Sequence, residues 1–238
     1  MVKLICFVKR NPALSVDEFH RHWREDHARV IVDTPDFAEH IVRYEQNHRL
    51  PRDYDRPDDP DFDGVAIQWF DSPAAFLAMI SSDGYRDRVA PDEAALLDGD
   101  GLAWMLTETE EAVIPGPEAR GGELCKVHTL IRRRSDLTID AFHRHWREVH
   151  GPLFRDTPAL ARHVVRYEQN HRVEGELREL GSGDFDGVAI QWLRSPDDLV
   201  AMATEPAYAE KIAPDNGRFL EDFSRTWLLT GPEEVVIG

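Results

Sequence analysis

The chain has 238 residues, of which 42% are hydrophobic and 31% are charged, a composition typical of a globular protein with one large or two small domains. Its formal net charge of −17 argues against nucleic acid and anionic membranes as partners, because such a surface repels phosphate groups. No apolar run approaches the roughly 20 residues of a membrane-spanning helix, and residues 1–6 lack the pattern of a signal peptide. We therefore expect a cytoplasmic protein that acts on a small molecule.

A repeat with an offset of 123 residues organises the whole sequence. Three segments recur at this offset without a change, residues 19–25 at 142–148, residues 43–49 at 166–172 and residues 61–69 at 184–192. A constant offset means that the copies differ by no net insertion, so they should fold alike. We place the halves at residues 1–115 and 123–238, joined by a linker over 116–122 that is rich in proline and glycine.

Each half predicts helices and strands in the order β-α-β-β-α-β. In the first half we expect strands at 4–8, 38–49, 64–70 and 103–109, and helices at 15–32, 72–80 and, shorter, 91–98. Ser15 and Glu18 have the spacing of a capping box, and Thr138 takes the place of Ser15 in the second half. This order predicts a ferredoxin-like α+β unit with a four-stranded antiparallel sheet and helices on one face. Two such sheets packed face to face would form an internal pseudo-dimer, and further homodimerisation stays open.

The first helix carries the leading catalytic candidates. At the helical period, its buried face holds Val16, Phe19, His20, Trp23, His27 and Val30. His27 and His150 are candidate general bases or acids, because an imidazole titrates near neutral pH. The alternative is a core histidine that is simply hydrogen-bonded.

Three other positions on this helix, and on its equivalent in the second half, are weaker candidates for the site. Trp23 and Trp146, one turn before those histidines, would form an apolar wall of the site, and His20 and His143 lie at the edge of the buried face. His22 and His145 are expected to face solvent.

The strand predicted at 38–49 has two alternating faces. One face holds His40, Val42, Tyr44, Gln46 and His48, and the other holds Ile41, Arg43, Glu45 and Asn47. The period does not say which face meets the helices, but the apolar Val42 favours the Tyr44 face. In that case Tyr44 and His48 would hold a carbonyl or phenolate oxygen near His27, with Gln46 between them. Tyr167, Gln169 and His171 would do the same in the second half.

Other repeated residues have either a binding or a structural interpretation. Gln68 and Gln191 would either orient a ligand or bond across the sheet. Tyr85 and Tyr208 would either close the pocket or pack in the core. Asp92 and Asp215 follow prolines and look like helix N-caps, and Cys6 and Cys125 look like small buried residues.

The motifs of several enzyme classes are missing from the sequence. No two histidines on a helix stand at i, i+4, and there is no zinc-type spacing of cysteines or histidines, so we predict no metal site. The glycine-rich loops of nucleotide-binding proteins and the serine motif of the α/β-hydrolases are also missing.

The pattern Phe-x-x-x-Trp-x-x-x-His, at Phe19 to His27 and again at Phe142 to His150, resembles the EthD domain of the dimeric α+β barrel superfamily. Gly151-Pro152-Leu153 fits the run that usually follows in that family, whereas Ala28-Arg29-Val30 departs from it. The resemblance implies two ferredoxin-like repeats packed sheet to sheet as an intramolecular barrel. It also implies a ligand pocket between the sheet and the helices of each repeat.

The resemblance leaves the chemistry open, because one fold serves many activities. Relatives in the superfamily include cofactor-free monooxygenases, polyketide cyclases, muconolactone isomerases, EthD-like dehydratases and haem-binding branches. Our leading hypothesis is a cofactor-independent dehydratase, cyclase or isomerase that moves protons on a small aromatic, polyketide-like or lactone metabolite. The alternatives are a monooxygenase, an accessory protein that binds haem or a hydrophobic ligand, or a purely structural barrel. Because both halves keep the same candidate residues, we predict two similar pockets. Loops 50–62 and 173–185 differ in sequence and could cover the pockets, so access to the two sites would differ.

Overall fold

The computed structural model describes residues 1–57, 61–108, 110–116, 124–182, 185–221 and 227–238. The strands of the first half are β1 (Val2–Val8), β2 (Arg43–His48), β3 (Gly64–Phe70), β4 (Ala103–Thr107) and β5 (Glu111–Ile114). Those of the second half are β6 (Cys125–Ile131), β7 (Arg166–His171), β8 (Gly187–Leu193), β9 (Trp227–Thr230) and β10 (Glu234–Ile237). The linker predicted at 116–122 lies, apart from Gly116, outside the described residues, so the domain boundaries stay a prediction.

The helices repeat in the same way. The first half has α1 (residues 16–32), α2 (Pro35–Ala38), α3 (Pro73–Ile80) and α4 (residues 85–96). The second half has α5 (residues 139–155), α6 (Pro158–Ala161), α7 (Pro196–Ala203) and α8 (residues 208–219). Short 3₁₀ turns cover Pro51–Asp55, Gly99–Gly101 and Gly175–Leu180.

The predicted start of the first helix is confirmed in both halves. Ser15 accepts a hydrogen bond from the Glu18 backbone while the Glu18 side chain accepts one from the Ser15 backbone, which completes the capping box. Thr138 caps α5 through the Ala141 backbone. These bonds satisfy backbone donors that a helix start otherwise leaves unpaired.

The strand expected at 38–49 begins only at Arg43. Pro35 occupies the first turn of a short helix, α2, and the backbone carbonyl of Thr34 accepts hydrogen bonds from Phe37 and Ala38. Residues 39–42 leave that helix as a turn, so His40 and Val42 lie outside β2. Proline's fixed φ suits a first helical turn, and this local preference outweighs the alternating pattern.

The described residues form two five-stranded antiparallel sheets, with the strand orders β10-β2-β3-β1-β4 and β5-β7-β8-β6-β9. Four strands of each sheet come from one half, as predicted. The fifth is exchanged: β10 from the second half pairs with β2, and β5 from the first half pairs with β7. Each exchanged strand covers an edge that would otherwise be open and ties one half to the other.

The predicted barrel of two packed sheets is confirmed. Side chains of both sheets share one buried core, which includes Ile5, Phe7, Val65, Leu130 and Val188. Separate apolar clusters lie between each sheet and its own helices. Each sheet therefore buries one face against the other sheet and the opposite face beneath helices.

Candidate functional site

A cavity lies between the sheet and the helices of each half. It measures about 360 Å³ in the first half and about 220 Å³ in the second. Five of the residues predicted for the first site line its cavity, namely Trp23, His27, Tyr44, Gln68 and Tyr85. The five equivalent residues line the second, namely Trp146, His150, Tyr167, Gln191 and Tyr208. The remaining lining is mostly aliphatic and aromatic.

An aspartate holds the cavity histidine in each half. Nδ1 of His27 lies 2.6 Å from Asp92 Oδ2, and Nδ1 of His150 lies 2.9 Å from Asp215 Oδ2. Because an ionised carboxylate only accepts hydrogen bonds, Nδ1 is the donor and carries a proton. This leaves Nε2 as the ring nitrogen that can exchange a proton with a guest in the cavity.

The electrostatics of these pairs favour a charged aspartate. Burial raises the pKa of Asp92, but the hydrogen bonds from His27 and His22 outweigh burial, so the net pKa lies below its usual value. The pKa of Asp215 is lowered in the same way. Burial lowers the pKa of His150 despite Asp215, so this imidazole is neutral near pH 7 and can accept a proton.

A π-helical turn in α1 explains how one aspartate reaches two histidines. The turn spans His22–His27, and its counterpart in α5 spans Trp146–His150. In a π-helical turn residue i bonds i+5 rather than i+4, which brings His22 to the same side of the helix as His27. His22 Nε2 then lies 2.8 Å from Asp92 Oδ1.

Two sequence-based expectations are therefore wrong. His22 and His145 do not simply face solvent, because both bond the aspartate of their half. Asp92 and Asp215 are not helix N-caps, because α4 and α8 begin several residues earlier as π-helical turns and both carboxylates accept bonds from imidazoles.

Tyr44 is held between the helix and the strand. Its hydroxyl oxygen accepts hydrogen bonds from Trp23 Nε1 at 3.2 Å and from Gln46 Nε2 at 3.3 Å. Burial raises the pKa of Tyr44, and it raises the pKa of Tyr167 to about 12, so both phenols keep their protons. Because the Tyr44 oxygen already accepts two bonds, its own proton is free to be donated into the cavity. The Tyr44 face of β2 thus meets the helices, as the favoured alternative predicted.

Three further candidates of the first half lie behind Trp23 and do not line the described cavity wall. Gln46 donates to the Trp23 carbonyl at 2.7 Å, and the His48 ring packs on the Trp23 ring with centroids 4.5 Å apart. His48 Nδ1 in turn lies 2.8 Å from His20 Nδ1. Trp23 therefore separates His48, Gln46 and His20 from His27, so they support the site from outside.

The second half places Gln169 and His171 in the same way. The His143 ring packs on the His171 ring with centroids 4.6 Å apart but, unlike His20 with His48, makes no hydrogen bond to it. Gln169 donates to the Trp146 carbonyl at 2.7 Å, and the His171 ring lies 4.6 Å from the Trp146 ring. Burial lowers the pKa of His48 to about 2, that of His171 to about 3 and that of His20 to about 4. These imidazoles are neutral in the folded protein.

The two cavities differ at residues that the sequence analysis did not single out. Glu93 lines the first cavity, and the Tyr85 hydroxyl donates to its Oε2 at 3.2 Å. The equivalent residue in the second cavity is Asn216. Cys6 lines the first cavity where Thr129 lines the second, and burial raises the pKa of the Cys6 thiol to about 12. A position-by-position comparison at the offset of 123, carried beyond the identical motifs, reveals both differences.

Neither a metal-binding cluster nor a membrane-spanning helix occurs among the described residues. No group of three or more His, Cys, Asp or Glu side chains is placed there to hold a metal ion. None of the described helices is long and apolar enough to cross a membrane.

Solved structures with the same fold come from several enzyme types. An anthrone oxidase-like protein superposes with a TM-score of 0.66 at 10% identity, covering 98% of this chain and 90% of its own. A putative monooxygenase from Fusobacterium nucleatum gives 0.55 at 6% identity, with coverages of 99% and 92%. A chlorite dismutase from Candidatus Nitrospira defluvii, in complex with imidazole, gives 0.51 at 13% identity, with coverages of 96% and 89%. At these identities the likeness establishes the fold alone.

The sequence comparison gives the family. No curated protein matches this chain significantly. The model of the EthD domain matches residues 11–100 and again residues 134–222, which together make up most of the chain. Each match contains the helix, the histidine and the aspartate described above. The chain therefore belongs to the EthD family and carries two EthD domains in tandem.

Proposed function

We propose that the protein is an enzyme that transfers protons on a small, mainly apolar metabolite of aromatic, polyketide-like or lactone type. The observation that carries this proposal is the His27–Asp92 pair at the wall of an otherwise apolar cavity, repeated as His150–Asp215. A neutral imidazole whose second nitrogen is held by a carboxylate is a good general base. The reaction type is dehydration, cyclisation or isomerisation, and it needs no cofactor.

The lining of the first cavity indicates a guest that is apolar with a few polar groups. The side-chain oxygen Oε1 of buried Gln68 has no hydrogen-bond partner among the described residues. An unpaired buried acceptor is costly, and a hydroxyl or amine of a guest would satisfy it. A barrel with only a structural role would be expected to fill this space with side chains, whereas both cavities are open.

The geometry suggests how the residues divide the work. His27 Nε2 would remove a proton from a carbon next to a carbonyl, and Asp92 would stabilise the imidazolium that forms. The Tyr44 hydroxyl would donate to the oxygen of the resulting enolate, because its own oxygen already accepts from Trp23 and Gln46. Trp23 excludes water from one side.

We expect the double variant His27→Ala/His150→Ala to lose the proton transfer by about 10² to 10⁴-fold, the usual contribution of a positioned acid or base. The measurement is the exchange of the methyl protons of acetophenone for deuterium, followed by NMR in deuterium oxide. The matched control is His40→Ala/His163→Ala, which removes another repeated histidine pair that lies outside both described linings. If the first double variant folds normally and exchanges deuterium at the wild-type rate, the base assignment is wrong.

An oxygen-using reaction is a close variant of this proposal. The same proton removal yields an electron-rich carbanion, the species that can react with dioxygen, and two of the similar structures are named an anthrone oxidase-like protein and a putative monooxygenase. Oxygen uptake during turnover separates the variants, because dehydration, cyclisation and isomerisation consume no oxygen.

Haem is the cofactor that the family resemblance raises, and the described lining does not fit it. His27 could offer Nε2 as an axial ligand. However, none of the described residues that line either cavity is lysine or arginine, whereas the carboxyl group of Glu93 lies in the first. The two haem propionates would therefore lack charge partners. We expect no His27-dependent haem binding: when haemin is added, wild type and His27→Ala should give the same spectrum, without a Soret band that depends on His27. A band with that dependence would establish the binding alternative.

A further inference from the structure

The two cavities share their base but not their acid. Resting on the function proposed above, we infer that Glu93 makes the first cavity a site for dehydration, with His27 as base and Glu93 as the proton donor to the leaving hydroxyl. The second cavity has Asn216 in place of Glu93 and would remove protons without expelling water. The two halves would then be unequal sites.

Helix α4 presents the two acidic residues in different directions. Asp92 bonds His27, while the next residue, Glu93, lies at the cavity wall and accepts a hydrogen bond from Tyr85. In α8 the same places are held by Asp215 and Asn216, and the Tyr208 hydroxyl hydrogen-bonds Asn216. The framework is therefore repeated, and only the chemical group that faces the guest has changed. An amide donates a hydrogen bond but does not give up a proton at neutral pH.

The surroundings of Glu93 favour its neutral form. Burial raises the pKa of Glu93 and the nearby Asp92 adds to this, whereas His27 and the Tyr85 hydrogen bond oppose it, and the net pKa lies above the usual value. The pKa of Tyr85 is itself raised to about 12, chiefly by burial, so Tyr85 keeps its proton. A carboxyl group whose pKa is raised in an apolar pocket is better suited to general-acid catalysis than an ordinary carboxylate.

The size of the cavities points the same way. The first measures about 360 Å³ and the second about 220 Å³, where the ring of Phe154 belongs to the lining. The position of Phe154 is held by Ile31 in the first half, outside the described lining there. The first cavity therefore has room for a larger guest beside its acid.

The step that we assign to the first cavity balances without an oxidant or a reductant. His27 removes the proton from the carbon between the carbonyl and the hydroxyl-bearing carbon of a β-hydroxy ketone. The electron pair of that C–H bond forms the new carbon–carbon double bond as the C–O bond breaks. Glu93 gives its proton to the leaving hydroxyl, which departs as water. Transfer of the proton from the His27 imidazolium to the Glu93 carboxylate restores both groups.

Single-site proteins test the inference. His150→Ala isolates the first cavity and His27→Ala the second, and the probe is the aldol adduct of benzaldehyde and acetone. We expect the first cavity to exchange deuterium and dehydrate the adduct, and the second to exchange deuterium only. Adding Glu93→Asn to His150→Ala should lower dehydration about 100-fold or more while exchange persists. The second half accommodates asparagine at the equivalent position, so we expect Glu93→Asn to fold normally. A loss of dehydration would then come from the missing acid and not from misfolding. Equal dehydration with and without Glu93→Asn would overturn the inference.

The reciprocal substitution and an infrared measurement complete the test. Adding Asn216→Glu to His27→Ala should give the second cavity measurable dehydration. Independently of turnover, wild type at pH 7 should show the carbonyl stretch of a protonated carboxyl group that Glu93→Asn removes. If neither single-site protein exchanges deuterium, the proposed function fails. The infrared band then still decides the state of Glu93, and its absence overturns the inference.

Discussion

Replacing Lys126 by alanine is expected to lower the free energy of unfolding by about 3–5 kcal/mol, because it removes the cation beside buried Glu233 and one of the two cations beside buried Glu45, which keeps Arg43. Lys126 is almost fully buried on β6, and its Nζ lies 2.9 Å from Asn47 Oδ1, 3.0 Å from Glu233 Oε2 and 3.5 Å from Glu45 Oε2. Asn47 and Glu45 belong to β2 of the opposite sheet. Urea unfolding monitored by tryptophan fluorescence measures the effect.

The pseudo-twofold relation supplies an internal replicate. Lys3 on β1 lies 3.0 Å from Asn170 Oδ1, 2.9 Å from Glu110 Oε2 and 3.3 Å from Glu168 Oε2, so Lys3→Ala should have a similar effect. The control is Arg155→Ala, which removes an exposed ion pair with Asp156 and should change stability little. Unfolding midpoints of the lysine variants that match the control would contradict this account.

A second large effect is expected from acid. We expect stability to fall as the pH drops below about 6.5, before the carboxylates titrate, because His48 and His171 are neutral when folded. Their folded pKa values, about 2 and about 3, lie below the ordinary value of 6.5. Between the folded and the unfolded pKa, the unfolded chain binds protons at His48 and His171 that the folded chain excludes. The contribution of these histidines to stability is therefore fully present above about pH 6.5 and is lost progressively below it. Each group contributes about 1.4 kcal/mol per pH unit in this window.

Urea unfolding at about pH 7.5, 6.5 and 5.5 measures this loss, because these conditions lie on both sides of the ordinary histidine pKa. The variant His48→Gln/His171→Gln should reduce the slope, because glutamine does not titrate. Part of the slope should remain, because burial also lowers the pKa values of His20, His128, His143 and His150. Asp92 and Glu110 have lowered pKa values, so their contributions to stability change only below about pH 4.5, outside this range. Glu93 has a raised pKa and opposes the trend, equally in wild type and in the variant. The assignment fails if the double variant shows the same slope as wild type.

Local pattern and repetition were sufficient to predict much of this protein. The offset of 123 predicted two equal units, and the order of periodic segments predicted their fold. The capping box located the start of α1, and the period of that helix placed Trp23 and His27 on its buried face. These features are encoded by neighbours within a few residues of each other, or by identity between the copies, so they can be inferred without coordinates.

Only the tertiary structure decided the contacts between distant segments. The exchange of β5 and β10 depends on which sheet edge each chain end reaches, and no local period carries that information. The pairing of His27 with Asp92 spans 65 residues and brings in His22 through a π-helical turn, which a regular helical period does not predict. Glu93 escaped notice for the same physical reason: a lone acid in a surface-like helix pattern acquires its chemistry only when packing closes an apolar cavity around it.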